Sequence, residues 1–335
     1  MIRFATIGTG FVVDWFLEGI TACKEMEYAA VYSRSMETGR AFAQKYHVET
    51  VYDHMEDLAM DETIDAVYIA SPPSCHFGQI MMMLNYGKHV LCEKPAVSNS
   101  KELELVLQAA QENDVVFLEA MKNVYTPGFR MIEELLPRIG TVKNAFIQTC
   151  RRSSAYDHFQ KGIVEHVFLP KLSNGALMDV GCYAVHFLVK LFGMPQSIKA
   201  DGIRLSNGSD GAGVILAQYQ DMQAEILYSK MYDTEIPSQI QGEWGCMLIP
   251  DISHTREIRI VDRNGREELY NVPGTGVEDT RNDLVYEALE FQRLIMERRT
   301  DHPYHQNTVM TFQIMDEARR QMGMIFPADK IMEVL

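Results

Sequence analysis

An aspartate, a tyrosine and a histidine stand out in a stretch that is otherwise almost wholly apolar, Asn174–Phe192 (NGALMDVGCYAVHFLVKLF). Asp179 and Tyr183 are four residues apart and His186 is three further on, so a helix puts all three on one face. A second charged pair, Glu93-Lys94, follows the apolar run Lys88–Cys92 (KHVLC) and precedes Pro95. Charges at the tip of a buried strand cost desolvation unless something uses them. They read either as a structural ion pair or as working groups. A free phenol, with a pKa of about 10, is a poor base at neutral pH. A lysine cation within about 5 Å favours the phenolate. A buried Tyr is usually a core residue and a buried Asp a cap or turn partner, but both on one face of an apolar helix, with a lysine at a strand tip, fit acid–base chemistry better.

The third group opens the chain. Ile2–Asp14 (IRFATIGTGFVVD) runs from a strand pattern through Gly8-Thr9-Gly10 into a helical pattern. Gly8 permits a sharp turn, and Gly10 lets a pyrophosphate approach the backbone. The following helix offers free N–H groups and a positive dipole end. Val13 stands where a third glycine often sits, which loosens helix–strand packing. Beyond a second strand, Glu27–Ser33, the chain reads Ser33-Arg34-Ser35, with no acidic residue for the ribose hydroxyls. That favours a 2′-phosphate, hence NADP ahead of NAD, against the alternative that Arg34 is a solvated loop residue.

These residues need a scaffold to position them. Ser35 reads as the N-cap of a helix over 36–46, and Tyr52–Met60 as a loop and short helix. Ile64–Ala70 is a buried strand stopped by Ser71-Pro72-Pro73, at a carboxyl end where ligands bind in open α/β sheets. His76 opens the next helix, 76–86, where a histidine is more often a cap or surface residue than a ligand. Ser98 or Ser100 caps a helix through Asn113, and Val115–Glu119 is a further strand. Strands alternating with helices predict a doubly wound parallel sheet.

After Ala120 the pattern changes, with a linker near 121–125, a helix over Pro127–Ile139 stopped by Gly140, and a strand over 141–152. Strand patterns then follow one another at 197–205, 213–220, 223–230, 238–243, 246–249, 256–261 and 267–270, without helices between them. They imply a mostly antiparallel sheet. Two helical patterns, 283–297 and 307–322, close the chain. The expected domains are 1–122 and 123–335. Tyr156, His158 and His166, in the 153–173 loop, read equally as pocket or surface residues.

The chain has 335 residues, enough for two domains, with 47% hydrophobic and 23% charged residues. A net charge of −15 argues against nucleic acid and against an anionic membrane surface. The six cysteines form no C-x-x-C pair or zinc spacing, so no metal is expected and they read as reduced thiols of a cytoplasmic protein. Met1 leads straight into a core strand, so no signal peptide is expected. By this reading no apolar run reaches the roughly 18 residues that a membrane helix needs.

Gly8-Thr9-Gly10, Ser71-Pro72-Pro73 with His76, Glu93-Lys94-Pro95 and Gly175-Ala-Leu-Met-Asp-Val-Gly-Cys-Tyr183, in that order, resemble the glucose–fructose oxidoreductase/inositol dehydrogenase/rhizopine catabolism (Gfo/Idh/MocA) family. The resemblance covers almost the whole chain and is nearest to its dihydrodiol dehydrogenase branch. It implies an N-terminal Rossmann domain and a C-terminal α/β domain whose large open sheet mediates homodimers or homotetramers. It implies NAD or NADP, and sugars, polyols or cyclic alcohols as substrates. Lys94 matches the family's active-site lysine, Asp179 the aspartate of the catalytic helix, and Tyr183 the acid/base position. The implied cofactor-binding set is Gly8, Thr9, Gly10, Phe11, Val12, Ser33, Arg34, Ser71, Pro72, His76, Glu93 and Lys94. Val124 stands where that branch carries an arginine, with Lys122 a candidate to compensate. The rival readings are a non-catalytic dinucleotide-binding regulator and a net non-redox sugar-processing enzyme.

Overall fold

The computed structural model describes residues 1–272 and 282–331; two pieces of the expected second domain, 273–281 and 332–335, lie outside the described residues. The chain forms two compact units, 1–120 with 282–306, and 121–272 with 307–331. The crossing falls between Ala120 and Met121. The return of 282–306 to the first unit departs from the expected continuous domain 123–335. A contiguous reading could not see it, because re-entry is a matter of contacts and leaves no local composition signal.

The first unit alternates β1 (Ile2–Ile7), α1 (Phe11–Gly19), β2 (Met26–Tyr32), α2 (Met36–Lys45), β3 (Thr50–Tyr52), α3 (Met55–Met60), β4 (Ala66–Ile69), α4 (Pro73–Asn85), β5 (His89–Glu93), α5 (Ser100–Glu112) and β6 (Phe117–Ala120). Its six strands lie in the order β3-β2-β1-β4-β5-β6, all parallel. This is the doubly wound order in which β1 and β4 flank the switch point where ligands bind. The central strand β4 (AVYI) is buried at every residue because helices cover both faces of the sheet. Val13 is fully buried, so the missing third glycine is filled by core packing.

Three local expectations change. The loop expected near Tyr52 begins as the short strand β3, too brief for its period to show. Helix α4 starts at Pro73 instead of His76, with Pro72 as N-cap, a position where proline's missing N–H costs nothing. The cap of α5 is Asn99, between the two serines that the sequence suggested. Its Oδ1 accepts from Glu102 N (3.0 Å), and Glu102 Oε2 accepts from Ser98 N (2.8 Å). Each side chain satisfies an amide that the helix start leaves open. The cap expected at Ser35 is present, accepting from Thr38 N.

The second unit contains α6 (Pro127–Leu135), β7 (Val142–Cys150), α7 (Ser154–Gln160), a π-helical turn (Leu177–Gly181) running into α8 (Cys182–Phe192), and seven further strands. These are β8 (Ser197–Arg204), β9 (Asp210–Gln218), β10 (Gln223–Ser229), β11 (Ser238–Gly242), β12 (Gly245–Ile249), β13 (Glu257–Asp262) and β14 (Glu267–Asn271). They make one eight-stranded sheet in the order β14-β13-β12-β11-β7-β10-β9-β8, antiparallel except where β7 meets β10. Gly140 takes φ 77° after α6 and its short 3-10 extension, the left-handed stop expected of it.

Helix α8 lies on this sheet and buries Ala184, Val185, Phe187, Leu188 and Val189. Each such Val, Leu or Phe contributes roughly 1.5–3 kcal/mol on full burial. The helical stretch Pro170–Phe192 is, by length and composition, apolar enough to cross a membrane, which the sequence reading had excluded. Most of its apolar window is buried inside the second unit, as a core helix requires. The chain then continues with α9 (Leu284–Met296), which packs on α1, and with α10 (Tyr304–Gln321) and α11 (Pro327–Ile331). All six cysteines are thiols.

Candidate active site

In the first unit, a cavity of about 320 Å³ opens at the carboxyl ends of β1, β2 and β4. Gly8, Thr9, Ser33, Arg34, Ser71 and Pro72 line it, joined by Ser35, Thr38, Cys75 and Gln79. Gly8 has φ +119°, and a Cβ there would sit 2.7 Å from the Ala70 carbonyl oxygen, so the turn demands glycine. Around Gly10 a Cβ would meet nothing within 4 Å, which leaves backbone open to a ligand. Glycine turn, helix N-terminus, arginine and hydroxyls fit a dinucleotide with an additional phosphate.

Six residues expected to bind the cofactor do not line this cavity. Gly10, Phe11 and Val12 form the N-cap and first turn of α1, and Phe11 points to solvent at 63% exposure. Glu93 accepts a hydrogen bond from the buried Tyr68 hydroxyl (2.5 Å), which ties β5 to β4. Lys94 follows at the tip of β5, and its bond to Pro95 is cis. His76 is neither cap nor surface residue, being 1% exposed on the inner side of α4. Its ring nitrogens face the carbonyl oxygens of Ser71 (Nε2, 2.7 Å) and Pro95 (Nδ1, 3.0 Å). Burial pushes its pKa down to about 4, so it is neutral at physiological pH. His76 thus packs between the Ser71 turn of the cavity and the turn that follows Lys94, and as a neutral ring it donates to one of the two carbonyls.

In the second unit, a cavity of about 410 Å³ lies between the start of the α8 segment and the ends of β7, β10 and β12. Tyr183 and Val180 line it from the helix, and Gln148, Thr149, Cys150 and Arg151 from β7 and just beyond. Asp233, Thr234 and Glu235 come from the loop after β10, Pro250, Asp251, Ser253 and His254 from the loop after β12, and Lys122 from the turn after β6. Lys122 Nζ stands 3.1 Å from His254 Nε2, so the lysine considered for the cofactor end lines this cavity. Val124 is buried.

The expected one-face triad separates. Tyr183 reaches the cavity, but His186 is buried against α10. Thr311 Oγ1 donates to Asn307 O (2.8 Å), so the same hydroxyl accepts from His186 Nδ1–H (3.1 Å). Burial lowers the His186 pKa to about 3, and a neutral, enclosed imidazole is no acid/base for the cavity. Asp179 does not line the cavity, and its carboxylate pairs with the buried Lys230 at the end of β10. Asp179 sits in a π-helical turn, so regular-helix spacing does not carry from Asp179 to Tyr183, whereas Tyr183 and His186 both lie in the regular α8.

Sequence reasoning missed Lys230, His254 and Asp210. Asp210 accepts from Leu177 N (2.7 Å) and so anchors the start of the segment that carries Asp179 and Tyr183; burial pushes its pKa up to about 6. Lys230 and His254 lie at strand ends far along the chain, where no local signal marks them. Of the three loop residues considered, Tyr156 packs on Phe168, His158 pairs with Glu165, and His166 sits in a 3-10 turn; none lines either cavity.

The family described as "Oxidoreductase family, NAD-binding Rossmann fold" matches residues 2–121. Scyllo-inositol 2-dehydrogenase (NADP(+)) IolU of Bacillus subtilis is 41% identical over 98% of this chain and 100% of its own. Trans-1,2-dihydrobenzene-1,2-diol dehydrogenase of Xenopus laevis is 29% identical over 97% and 99%. Among solved structures, the 3-ketoreductase KijD10 of Actinomadura kijaniata, in complex with NADP and TDP-benzene, superimposes with a TM-score of 0.85. That match spans 96% of this chain and 98% of that one at 18% identity, and bears on the fold alone. The chain belongs to the Gfo/Idh/MocA oxidoreductase family. It is an NAD(P)-dependent dehydrogenase/reductase acting on CH–OH groups, with a Rossmann cofactor domain.

Proposed function

We propose that the protein is an NADP-dependent dehydrogenase of polyhydroxylated rings, sugars or cyclitols, with Tyr183 as acid/base assisted by Lys94 and Asp179. The observation that carries this reading is the cavity beside Tyr183. Its walls hold Lys122, Arg151, Asp233, Glu235, Asp251 and His254, and few apolar side chains. Such walls suit a neutral ligand that donates and accepts many hydrogen bonds, and they penalise an apolar ring, which leaves them unpaired. Among the relatives, IolU is named for such a ring and for NADP.

NADP, when bound, supplies the acceptor for the hydride of the alcohol carbon. Gly8, Thr9, Ser71 and Pro72 would hold the dinucleotide, and Arg34 with Ser33, Ser35 and Thr38 would take the 2′-phosphate. Tyr183 takes the hydroxyl proton during oxidation and returns it during reduction. The ammonium of Lys94 favours the phenolate and hydrogen-bonds the reacting oxygen. Asp179, fixed by Lys230, keeps the charge arrangement in place. A homodimer or homotetramer through the open face of the eight-stranded sheet, and a cytoplasmic location, complete the proposal.

The test is NADP reduction with a panel of cyclitols and sugars, in the wild type and in Tyr183→Phe. Positioned acid–base catalysis is worth about 10²–10⁴-fold. The variant is expected to lose that much in kcat while its NADP dissociation constant holds. A variant that keeps wild-type turnover removes Tyr183 from the chemistry.

A further inference from the structure

We infer that Lys122 and His254 form a specificity pair, which selects polyhydroxylated rings by hydrogen-bonding hydroxyls other than the one that reacts. The inference rests on the proposed substrate class and on Tyr183 serving the reacting hydroxyl.

The two side chains are 132 positions apart in sequence, yet Lys122 Nζ lies 3.1 Å from His254 Nε2 on the cavity wall that Tyr183 shares. An ammonium only donates, so Nε2 accepts and the imidazole proton sits on Nδ1. The pair therefore offers N–H donors, from the ammonium and from Nδ1, to a ligand's oxygens. Carboxylates of Asp233, Glu235 and Asp251 line the same cavity as acceptors. A hydroxyl is both donor and acceptor, so a ring bearing several can satisfy both kinds of wall. An apolar ring satisfies neither, and desolvating a lysine cation against it is costly.

Both members are held on supported backbone. Lys122 begins the 3-10 turn Lys122–Val124, and Asn123 in that turn donates through Nδ2 to the Tyr183 carbonyl (3.5 Å). The lysine is thus tied to the same segment as the acid/base. His254 sits in a turn closed by Asp251, whose Oδ1 accepts from Ser253 N (2.7 Å) and His254 N (3.3 Å). The next residue, Thr255, is buried and donates to Asp251 O (3.2 Å). It abuts Gly128, where a Cβ would come within 2.4 Å of the Thr255 oxygen. A supported pair discriminates better than a mobile one, because less ordering entropy is lost on binding.

The experiment compares kcat/KM for scyllo-inositol and for trans-1,2-dihydrobenzene-1,2-diol at saturating NADP. The proteins are the wild type, Lys122→Met, His254→Leu and the double variant. Binding of scyllo-inositol to the NADPH complex is measured in parallel, by quenching of nucleotide fluorescence. Each single variant is expected to lose about 10- to 100-fold on the inositol, chiefly in KM and in binding. The loss on the diol should be at least about tenfold smaller, and the double variant should fall short of the product of the two single losses. NADP affinity and thermal unfolding report on folding, and His254→Gln replaces the leucine variant if that one does not fold. Equal losses on both substrates, or inositol kinetics within about twofold of wild type, overturn the pairing while leaving the proposed function standing. A wild type that oxidises the diol but neither binds nor oxidises any polyol overturns both.

Discussion

Replacing His76 with glutamine tests whether the buried neutral imidazole supports the two turns it packs between, the Ser71 turn of the cofactor cavity and the turn after Lys94. In the folded protein the ring is 1% exposed, and its pKa falls from 6.5 to about 4 through burial. The unfolded chain therefore takes up the proton first as pH drops. Folding stability from this group is fully present above 6.5 and is lost as pH falls toward 4. At about pH 5 the loss comes to about 2 kcal/mol, and at about pH 7.5 it is under about 0.1 kcal/mol. A neutral imidazole has one N–H, so it donates to one of the two carbonyls its nitrogens face, those of Ser71 and Pro95, and leaving that carbonyl unpaired costs about 1–3 kcal/mol. At about pH 7.5, His76→Gln should thus be less stable by about 1–3 kcal/mol; by about pH 5 the two proteins should converge. His186 and His302, whose pKa values burial also depresses, are common to both proteins and cancel in the difference. Urea titrations at the two pH values, monitored by circular dichroism, give the numbers. A stability gap that stays constant between them would refute the reasoning.

Two further outcomes are expected. Arg34→Ala should weaken NADP(H) by about 10- to 100-fold and leave NAD(H) within about twofold, because only the 2′-phosphate loses its charge-assisted bonds; titration calorimetry with both nucleotides decides it, and parallel losses would return Arg34 to the surface. Lys230→Met should lower kcat by about tenfold or more and Lys230→Arg should restore most of it, since the ammonium fixes Asp179; equal kcat in wild type and Lys230→Met would detach that pair from catalysis.

What could be read locally was read well. The strands of the first unit have continuous apolar runs because they are covered on both faces. The seven strands after α8 follow their alternating patterns to within a few residues, because one face is packed and the other open. Gly8 was legible because its turn admits no side chain. The three-residue strand β3 and the seven-residue helix α7, two turns long, stayed hidden because each spans too few positions to show its own period.

The sequence by itself determined the order of elements, the dinucleotide turn, the arginine beside it, and the tyrosine on an apolar helix. Each depends on neighbours within a few positions, where propensity, glycine geometry and helical spacing act directly. Tertiary structure decided which of those side chains meet a cavity. It turned His186 into the core against Thr311 and buried His76 between two turns. It also gave Asp179 to Lys230 and brought Lys122 to His254. Apart from Ser71, five positions from His76, those partners are separated by 19 to 132 positions. Their meeting depends on how the sheet orders its strands and on one π-helical turn, and no spacing rule along the chain encodes either.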